Sequence, residues 1–288
     1  MISQSERLEW LAQRRQGIGA SEVGAVMGLS PWKSPYSLWA EKTGIVAPDP
    51  DETEPQHWGN VLEPVIAHEY QEVTGRALID HGRFAVRESA RCPVLRCTLD
   101  REILPIDDRG PGALEIKAVS AFKDDEWTDG PPLLYQIQIQ AQLAVTGWRW
   151  GSAAVLIGGQ SFRWCDVERN DAFIAVMERK CVEFWRYVET NTPPPVDGSS
   201  ATAEILKMIY PKDTGETVAL PGEALSWGDT IAACNERIKA AEAEKREAQN
   251  KLIAAIGSAT FGVLPGGGKW SYKTAARQKY RTLRRSAK

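Results

Sequence analysis

The sequence has few of the residues that bind transition metals or form disulfides. Its five cysteines are scattered along the chain and include no CxxC pair, which excludes a disulfide framework and the usual cysteine spacing of a zinc site. The three histidines form neither an HxH nor an HExxH motif. A zinc enzyme is therefore not expected, and any metal ion would be held by oxygen ligands.

Long apolar segments and targeting signals are also missing. No apolar run approaches the roughly 18 residues that a membrane span needs. The first residues, MISQSERLEWLAQRRQ, are polar and include acids, unlike a signal or transit peptide. Hydrophobic residues make up 43% of the 288 residues and charged residues 25%, as in folded globular proteins. We therefore expect a cytoplasmic globular protein without a membrane partner.

The net charge of −3 conceals a basic C-terminal arm, residues 269–288. This arm contains eight Lys and Arg and no acid, so the first 268 residues carry −11. A basic arm on an acidic body suits a polyanionic partner, with Tyr272 and Tyr280 as candidate stacking groups. A solvated tail is the alternative that the composition leaves open.

Helical patterns dominate the N-terminal part. We predict a short polar helix over 5–15 and a second helix that begins at Ser21. Ser34 followed by Pro35 predicts another helix start, with Gly44 as the stop. Residues 57–74 have apolar side chains at helical spacing and are closed by Gly75, after an acidic, proline-rich loop.

Short β-rich segments follow up to residue 119, and they predict a sheet. Residues 133–147, LLYQIQIQAQLAVTG, fit both a strand, since Gln alternates with apolar residues, and a helix, since Pro-Pro precedes an apolar stripe. Residues 152–167 resemble a hairpin, and Asn170 predicts the start of a helix to about residue 189.

The three prolines at 193–195 end that helix and suggest a division of the chain. We predict a core over 1–195 and an extension over 196–288. In the extension, residues 229–256 form a long helix rich in alanine and charge. A hairpin turned by Gly266, Gly267 and Gly268 then leads into the basic arm.

A carboxylate and a lysine alternate along one predicted strand. Glu115 and Lys117 would point to one face while Ile116 points into the core. Asp100 ends the preceding β-rich segment, and pairing of adjacent strands would bring it beside Glu115. Two carboxylates and a backbone carbonyl suffice for Mg²⁺, which keeps several waters in its octahedral shell. The alternative is a chance pattern, because a lone ExK motif on an exposed strand is a weak signal.

The spacing Asp100-(x14)-Glu115-x-Lys117 resembles the PD-(D/E)xK nuclease motif, and four further segments narrow the family. These segments are Trp10-x3-Arg14-x2-Gly-Ile-Gly-Ala-Ser-Glu-Val23, Ser30-Pro-Trp-Lys-Ser-Pro35 with the following LWAEKTG, Trp58-Gly-x3-Glu63-Pro64, and Gln138-x-Gln140-x2-Leu-x-Val-Thr-Gly147. Together and in this order they are similar to the YqaJ/phage lambda exonuclease family of viral recombinases.

This resemblance implies an α/β (α+β) fold with a restriction-endonuclease-like core, in which helices flank a central mixed sheet, plus a C-terminal helix–hairpin extension. It implies that Asp100, Glu115 and the Ile116 carbonyl hold Mg²⁺, for which Mn²⁺ would substitute. Lys117 would orient or deprotonate the attacking water.

Four more residues match family positions. Glu63 would hold a water or a second ion near the metal, and Gln138 would orient Lys117 or the nucleophile. Arg14 and Ser21 match a pocket for the 5′-phosphate of the degraded strand. The alternatives are a solvated Glu63, a buried Gln138 satisfied by backbone, a Ser21 that only caps a helix, and an Arg14 that pairs with Glu9 or Glu22.

The implied activity is a Mg²⁺-dependent 5′-to-3′ exonuclease that acts on ends of double-stranded DNA. It would leave a 3′ overhang for a single-strand annealing protein in phage-type recombination, as a homotrimeric ring in a bacterial host. A structure-specific endonuclease of the same superfamily, or a DNA-binding protein on a decayed nuclease fold, are the competitors. The sequence departs from the family at Arg101, where glycine is usual. Because Arg15 adjoins Arg14, the sequence leaves open which of the two arginines would bind the phosphate.

Overall fold

The computed structural model describes residues 12–46, 53–82, 84–274 and 281–286. The chain divides into two compact units, Met1–Asp213 and Thr214–Lys288. Of the helix predicted over 5–15, residues 12–14 are helical and 5–11 lie outside the described residues, as does most of the acidic loop that precedes residue 53.

The first unit contains eight described strands. They are β1 (Ile18–Gly19), β2 (Leu78–Ile79), β3 (Arg87–Glu88), β4 (Leu95–Cys97), β5 (Arg101–Ile103), β6 (Gly112–Val119), β7 (Trp150–Ile157) and β8 (Ser161–Glu168). Five of them form the central sheet in the order β2-β5-β6-β7-β8, where β6 and β7 are parallel and the other pairs antiparallel. The predicted mixed sheet is thus confirmed. Strands β1, β4 and β3 form a smaller sheet.

Six labelled helices surround these sheets, together with short 3₁₀ turns at Ala20–Glu22 and Ala121–Trp127. They are α1 (Val23–Val26), α2 (Pro35–Lys42), α3 (Glu54–Thr74), α4 (Leu133–Thr146), α5 (Asp171–Glu189) and α6 (Ser200–Ile209). Helix α3 ends as predicted at Gly75, whose φ of 69° lies in the left-handed region that glycine adopts without strain. The described part of the unit places helices on both faces of the central sheet.

The ambiguous glutamine-rich segment forms helix α4. Pro132 precedes it, and Gly147, with a φ of 74°, ends it. Ile137, Ile139 and Leu143 are all buried although they lie on different sides of the helix, because α4 packs against β4, β6, β7, α1 and α5. Burial on several sides explains why apolar residues also recur at every second position.

The two faces of the central sheet belong to two apolar clusters. Leu114, Ile116 and Trp150 pack with Ile66 and Tyr70 of α3 on one face. Ala113 and residues of α4 and α5 belong to the larger cluster on the other face. Since side chains alternate along a strand, Glu115 and Lys117 lie on the face that α4 covers.

The second unit consists of α7 (Ala224–Ile256) and an antiparallel sheet in the order β11-β10-β9. Its strands are β9 (Phe261–Val263), β10 (Lys269–Thr274) and β11 (Arg281–Ser286). The predicted long helix and hairpin are present, and the basic arm continues into β11. In the part of the chain that is described, no helix is both long and apolar enough to cross a bilayer.

The segment 196–213, which the sequence analysis placed in the extension, belongs to the first compact unit. Helix α6 packs against α2. The Thr202 hydroxyl donates a hydrogen bond to Ser34 Oγ at 2.7 Å, and Ile205 is buried in the larger apolar cluster. A division into core and extension at residue 195 stays a prediction.

Candidate active site

Pairing of β5 with β6 brings Asp100 beside Glu115. Arg101 lies opposite Leu114 in this antiparallel ladder, so Asp100, the preceding residue, continues the register toward Glu115. The Ile116 backbone N–H donates a hydrogen bond of 2.7 Å to Asp100 Oδ2. Two carboxylates that are 15 residues apart in sequence therefore lie together at adjoining strands.

The catalytic candidate Lys117 lies next to these carboxylates. Its ammonium group donates a hydrogen bond to Glu115 Oε1 and lies 5.3 Å from the ring centre of Tyr135. The Glu115 side chain is 1% exposed, whereas 25% of the Lys117 side chain is exposed. Solvent or a substrate can therefore reach the lysine, while Glu115 is held inside.

The electrostatics of the group favour an added cation. Burial raises the pKa of Asp100 to about 8, and the neighbouring Glu115 adds to the rise more than Lys117 offsets it. Burial by itself would lower the pKa of Lys117, but the charges of Glu115 and Asp100 outweigh it and raise the pKa. When both carboxyl groups are ionised, the site thus has more negative charge than its one lysine can balance.

The donor set fits a hard cation that retains water. Within the described ranges no cluster of three or more His, Cys, Asp or Glu side chains forms a metal site. Asp100 and Glu115, with the Ile116 carbonyl, offer oxygen ligands only, and Mg²⁺ is bound in proteins by one or two carboxylates plus waters.

Helix α4 supplies a residue that the sequence analysis missed. Gln142 is fully buried, and its Nε2 donates a hydrogen bond of 2.6 Å to Glu115 Oε2. Gln138, the predicted glutamine, is half-buried one turn earlier on the same helical face. The helical alternative for residues 133–147 would have indicated Gln142, since positions four apart share a face.

Glu63 has a partner that the sequence pattern did not indicate. Arg101 Nη1 lies 2.6 Å from Glu63 Oε1, and Arg101 Nη2 lies 3.2 Å from Asp80 Oδ2. The same guanidinium donates to the backbone carbonyl of Asp100. Arg101 thus forms an ion pair with Glu63 directly beside Asp100, the first carboxylate of the site. The role of Glu63 in holding a water or second ion stays a prediction.

Arg14 belongs to a separate ion cluster around Glu22. Glu22 accepts hydrogen bonds from Arg14 Nη2 at 3.1 Å, from the Gly19 N–H at 2.8 Å and from Lys42 Nζ at 2.6 Å. Lys42 also donates to the Arg14 carbonyl at 2.5 Å. Arg14 thus pairs with Glu22, and Lys42 fixes the arginine backbone as well. The role of Arg14 in a 5′-phosphate pocket stays a prediction.

Burial and charge oppose each other in this cluster. Burial pushes the pKa of Glu22 upward, but Lys42 and Arg14 outweigh it and lower the pKa. The pKa of Lys42 is lowered because its burial disfavours the ammonium more than Glu22 stabilises it. Lys42 has a side-chain exposure of only 3%, so its function is to hold Glu22 and, through it, Arg14.

Ser21, the second predicted phosphate ligand, lies on the surface next to this ion cluster. Ser21 is exposed on the 3₁₀ turn Ala20–Glu22, and Arg15, next to Arg14, is also exposed. Helix α4 packs against both this turn and β6. The turn with Ser21 and the strand with Glu115 and Lys117 are thus positioned by the same helix.

Comparison with known proteins agrees with this architecture. Residues 9–149 match the model of the YqaJ-like viral recombinase domain. The uncharacterized protein YqaJ of Bacillus subtilis is 31% identical over 268 residues, which cover 91% of this chain and 82% of that protein. The chain belongs to the YqaJ-like viral recombinase family. The match to the family model contains every predicted site residue from Arg14 to Gln138, and Gln142 as well.

Solved structures show the same fold. An alkaline exonuclease from Laribacter hongkongensis superposes with a TM-score of 0.53 at 23% identity, covering 64% of this chain and 94% of that one. A structure of that exonuclease in complex with dAMP gives the same TM-score and identity, with 70% and 96% coverage. Membership of the viral recombinase family together with this fold supports a nuclease role.

Proposed function

We propose that this recombinase-family protein is a Mg²⁺-dependent exonuclease that degrades one strand of duplex DNA from its 5′ end. The observation that carries the proposal is that Asp100, directly before β5, lies beside Glu115 and Lys117 of the adjoining strand β6. A 3′ overhang would remain for a single-strand annealing protein. A homotrimeric ring is proposed from the family resemblance.

Asp100, Glu115 and the Ile116 carbonyl are the proposed ligands of Mg²⁺, with Mn²⁺ as a substitute. When bound, the ion would polarise the scissile phosphate and lower the pKa of a water molecule. Lys117 would orient or deprotonate the attacking water and would stabilise the negative charge that develops on the phosphate.

Gln142 and Ile116 position the carboxylates for this chemistry. The amide of Gln142 fixes one oxygen of Glu115, and the Ile116 N–H fixes one oxygen of Asp100. Such preorganisation reduces the reorganisation needed when charge develops in the transition state.

The direction of degradation rests on Arg14 and Ser21 as ligands of the 5′-phosphate. A guanidinium offers several donors for a phosphate while it keeps an ion pair with Glu22, and 36% of the Arg14 side chain is exposed. The exposed Ser21 hydroxyl would add a donor beside it. Lys42 keeps Glu22, and therefore Arg14, in place.

The proposal is tested with purified full-length protein and three duplex substrates: 5′-phosphorylated linear, 5′-hydroxyl linear and closed circular. We expect cleavage in Mg²⁺ and none in EDTA, a preference for the 5′-phosphate, and no cleavage of the circle. Cleavage of the circle would identify an endonuclease, and no cleavage in any metal would leave only DNA binding.

Isosteric variants locate the activity. Asp100→Asn and Glu115→Gln each remove one negative metal ligand with little change in shape. Both should lose cleavage entirely and weaken Mn²⁺ binding measured by calorimetry, while circular dichroism stays unchanged. Glu102→Gln, on β5 but outside the proposed site, is the matched control and should retain activity. If either site variant keeps wild-type cleavage, the metal site is misassigned.

A further inference from the structure

The sheet of the second unit has one exposed face that combines cations with an aromatic ring. Phe261 lies opposite Ser271, and Ser271 lies opposite Arg284, in the antiparallel ladders. Lys269 and Lys273 flank Ser271 two positions away on β10 and therefore share its face. We call this set the basic sheet face; Phe261, both lysines and Arg284 are exposed.

The two lysines lie close to the aromatic ring. Lys269 Nζ is 5.0 Å and Lys273 Nζ is 4.7 Å from the ring centre of Phe261, which is 44% exposed. One lysine lies on each side of Ser271 along β10, and both ammonium groups are close enough to the Phe261 ring for a cation–π interaction. A base that stacks on this ring would place its flanking phosphates near the two ammonium groups.

The opposite face of this sheet packs inward. A Cβ added to Gly262 would lie 2.9 Å from Cγ1 of Ile256, the buried last residue of α7. Trp270, which pairs with Gly262, and Tyr272 are half-buried on that face. Tyr272 is therefore not on the basic sheet face, where Phe261 is the aromatic residue instead; Tyr280 lies outside the described residues.

Charge indicates what covers the basic sheet face. Residues 269–288 contain eight Lys and Arg and no acid, so nothing within this segment neutralises the cations. A polyanion with flat apolar groups at regular intervals complements such a face. Single-stranded nucleic acid has that chemistry, because its unpaired bases can stack on an aromatic ring while its phosphates pair with lysine and arginine.

We propose that the basic sheet face binds single-stranded DNA, with a base on Phe261 and phosphates on Lys269, Lys273 and Arg284. The source of that strand would be the overhang left by the nuclease activity, so this part rests on the proposed function. The binding itself uses none of the residues of the candidate active site. It gives the extension a function that the core lacks, namely retention of the strand that is not degraded.

The test is fluorescence anisotropy of a labelled oligothymidylate with the full-length protein in EDTA, which prevents cleavage. The double variant Lys269→Gln/Lys273→Gln should reduce the dependence of log affinity on log salt by about 1.4, at about 0.7 per single-strand phosphate contact. Phe261→Leu should weaken binding about fivefold or more, the lower end for loss of a stacked base, and leave the salt dependence unchanged.

Lys239→Gln/Lys251→Gln is the matched control, because it removes two exposed lysines from α7 of the same unit. It should leave the salt dependence unchanged. An equal decrease in this control, or no decrease in the sheet variant, would overturn the proposal. So would an equal loss of affinity for a closed duplex without free ends, since the site would then bind phosphates without bases.

Activity assays separate this proposal from the proposed function. If the wild type shows the expected binding pattern but no cleavage in Mg²⁺, the nuclease function fails and the single-strand site stands. If cleavage is normal and the sheet variant binds like the wild type, the nuclease function stands and the single-strand site fails. Unchanged thermal unfolding of the variants shows that the fold is retained.

Discussion

Replacement of Gln142 tests whether this glutamine, identified from its contact with Glu115, orients the proposed metal ligands. Gln142→Leu keeps a side chain of similar size but removes the amide that donates 2.6 Å to Glu115 Oε2. Glu115 is 1% exposed, so water cannot replace the lost donor without a rearrangement. Among the residues that the structure describes, Lys117 would then be the side chain that still holds the carboxylate, through its other oxygen.

The size of the effect follows from the charge on the acceptor. A hydrogen bond to a charged group contributes about 1.5–3 kcal/mol. At about 1.4 kcal/mol per tenfold change, this corresponds to a loss of about ten- to a hundredfold. Loss of groups that orient metal ligands commonly costs the same range in metal affinity or activity. We therefore expect Gln142→Leu to lower Mn²⁺ affinity and cleavage together, by about ten- to a hundredfold.

The assay compares Gln142→Leu with Gln138→Leu, which changes the same residue type one helical turn away. Mn²⁺ binding is measured by calorimetry, and cleavage is measured across a Mg²⁺ titration, so that recovery at high Mg²⁺ reveals weakened binding. The larger defect should belong to Gln142→Leu. A larger defect in Gln138→Leu, or wild-type metal binding in Gln142→Leu, would refute the geometric assignment and favour the glutamine that the family resemblance indicates.

Three further predictions concern the ion cluster around Glu22. Lys42→Met leaves Glu22 buried without its closest cation, so the free energy of unfolding should fall by about 3–5 kcal/mol in urea titrations, and an unchanged value would show that the pair is dispensable. The pKa of Glu22 is lowered from 4.5 in the folded chain. The ionised Glu22 therefore stabilises the fold above pH 4.5, and this contribution is lost as the pH falls through the folded pKa. Glu22→Gln should reduce the dependence of the melting temperature on pH in this acid range. Arg14→Ala should slow degradation of a 5′-phosphorylated duplex about ten- to a hundredfold more than that of a 5′-hydroxyl duplex, because it loses a charge-assisted contact of about 1.5–3 kcal/mol. Equal slowing of both substrates would place Arg14 outside the phosphate pocket.

Much of the fold could be predicted because local signals agreed with the tertiary structure. Helix α3 has an apolar stripe and a closing glycine, and α5 begins at the predicted Asn170. Residues 133–147 stayed ambiguous because a helix that is buried on several sides loses the contrast between apolar and polar faces on which periodicity depends. Its packing against the strands and the other helices explains why this segment forms the helix α4 and not a strand.

The candidate site divides in the same way. Strand alternation was enough to place Glu115 and Lys117 on one face, and strand order placed Asp100 beside them. The partners that fix these residues could not be predicted, since they come from distant elements. Gln142 is 27 residues from Glu115 and Arg101 is 38 from Glu63, and no local rule links positions so far apart.

Two groups of charged residues lie on opposite faces of the central sheet, and both are next to Asp100. Glu115 and Lys117 lie on the face covered by α4, whereas Arg101, opposite Leu114, lies on the face covered by α3 together with Glu63. Arg101 donates to the carbonyl of Asp100, while the carboxylate of Asp100 accepts from Ile116 on the neighbouring strand. Arg101, itself held by the ion pair with Glu63, therefore fixes the backbone of Asp100, the first of the proposed metal ligands. Arg101, which stands where glycine is usual in the family, thus lies on the side of the sheet away from Glu115 and Lys117.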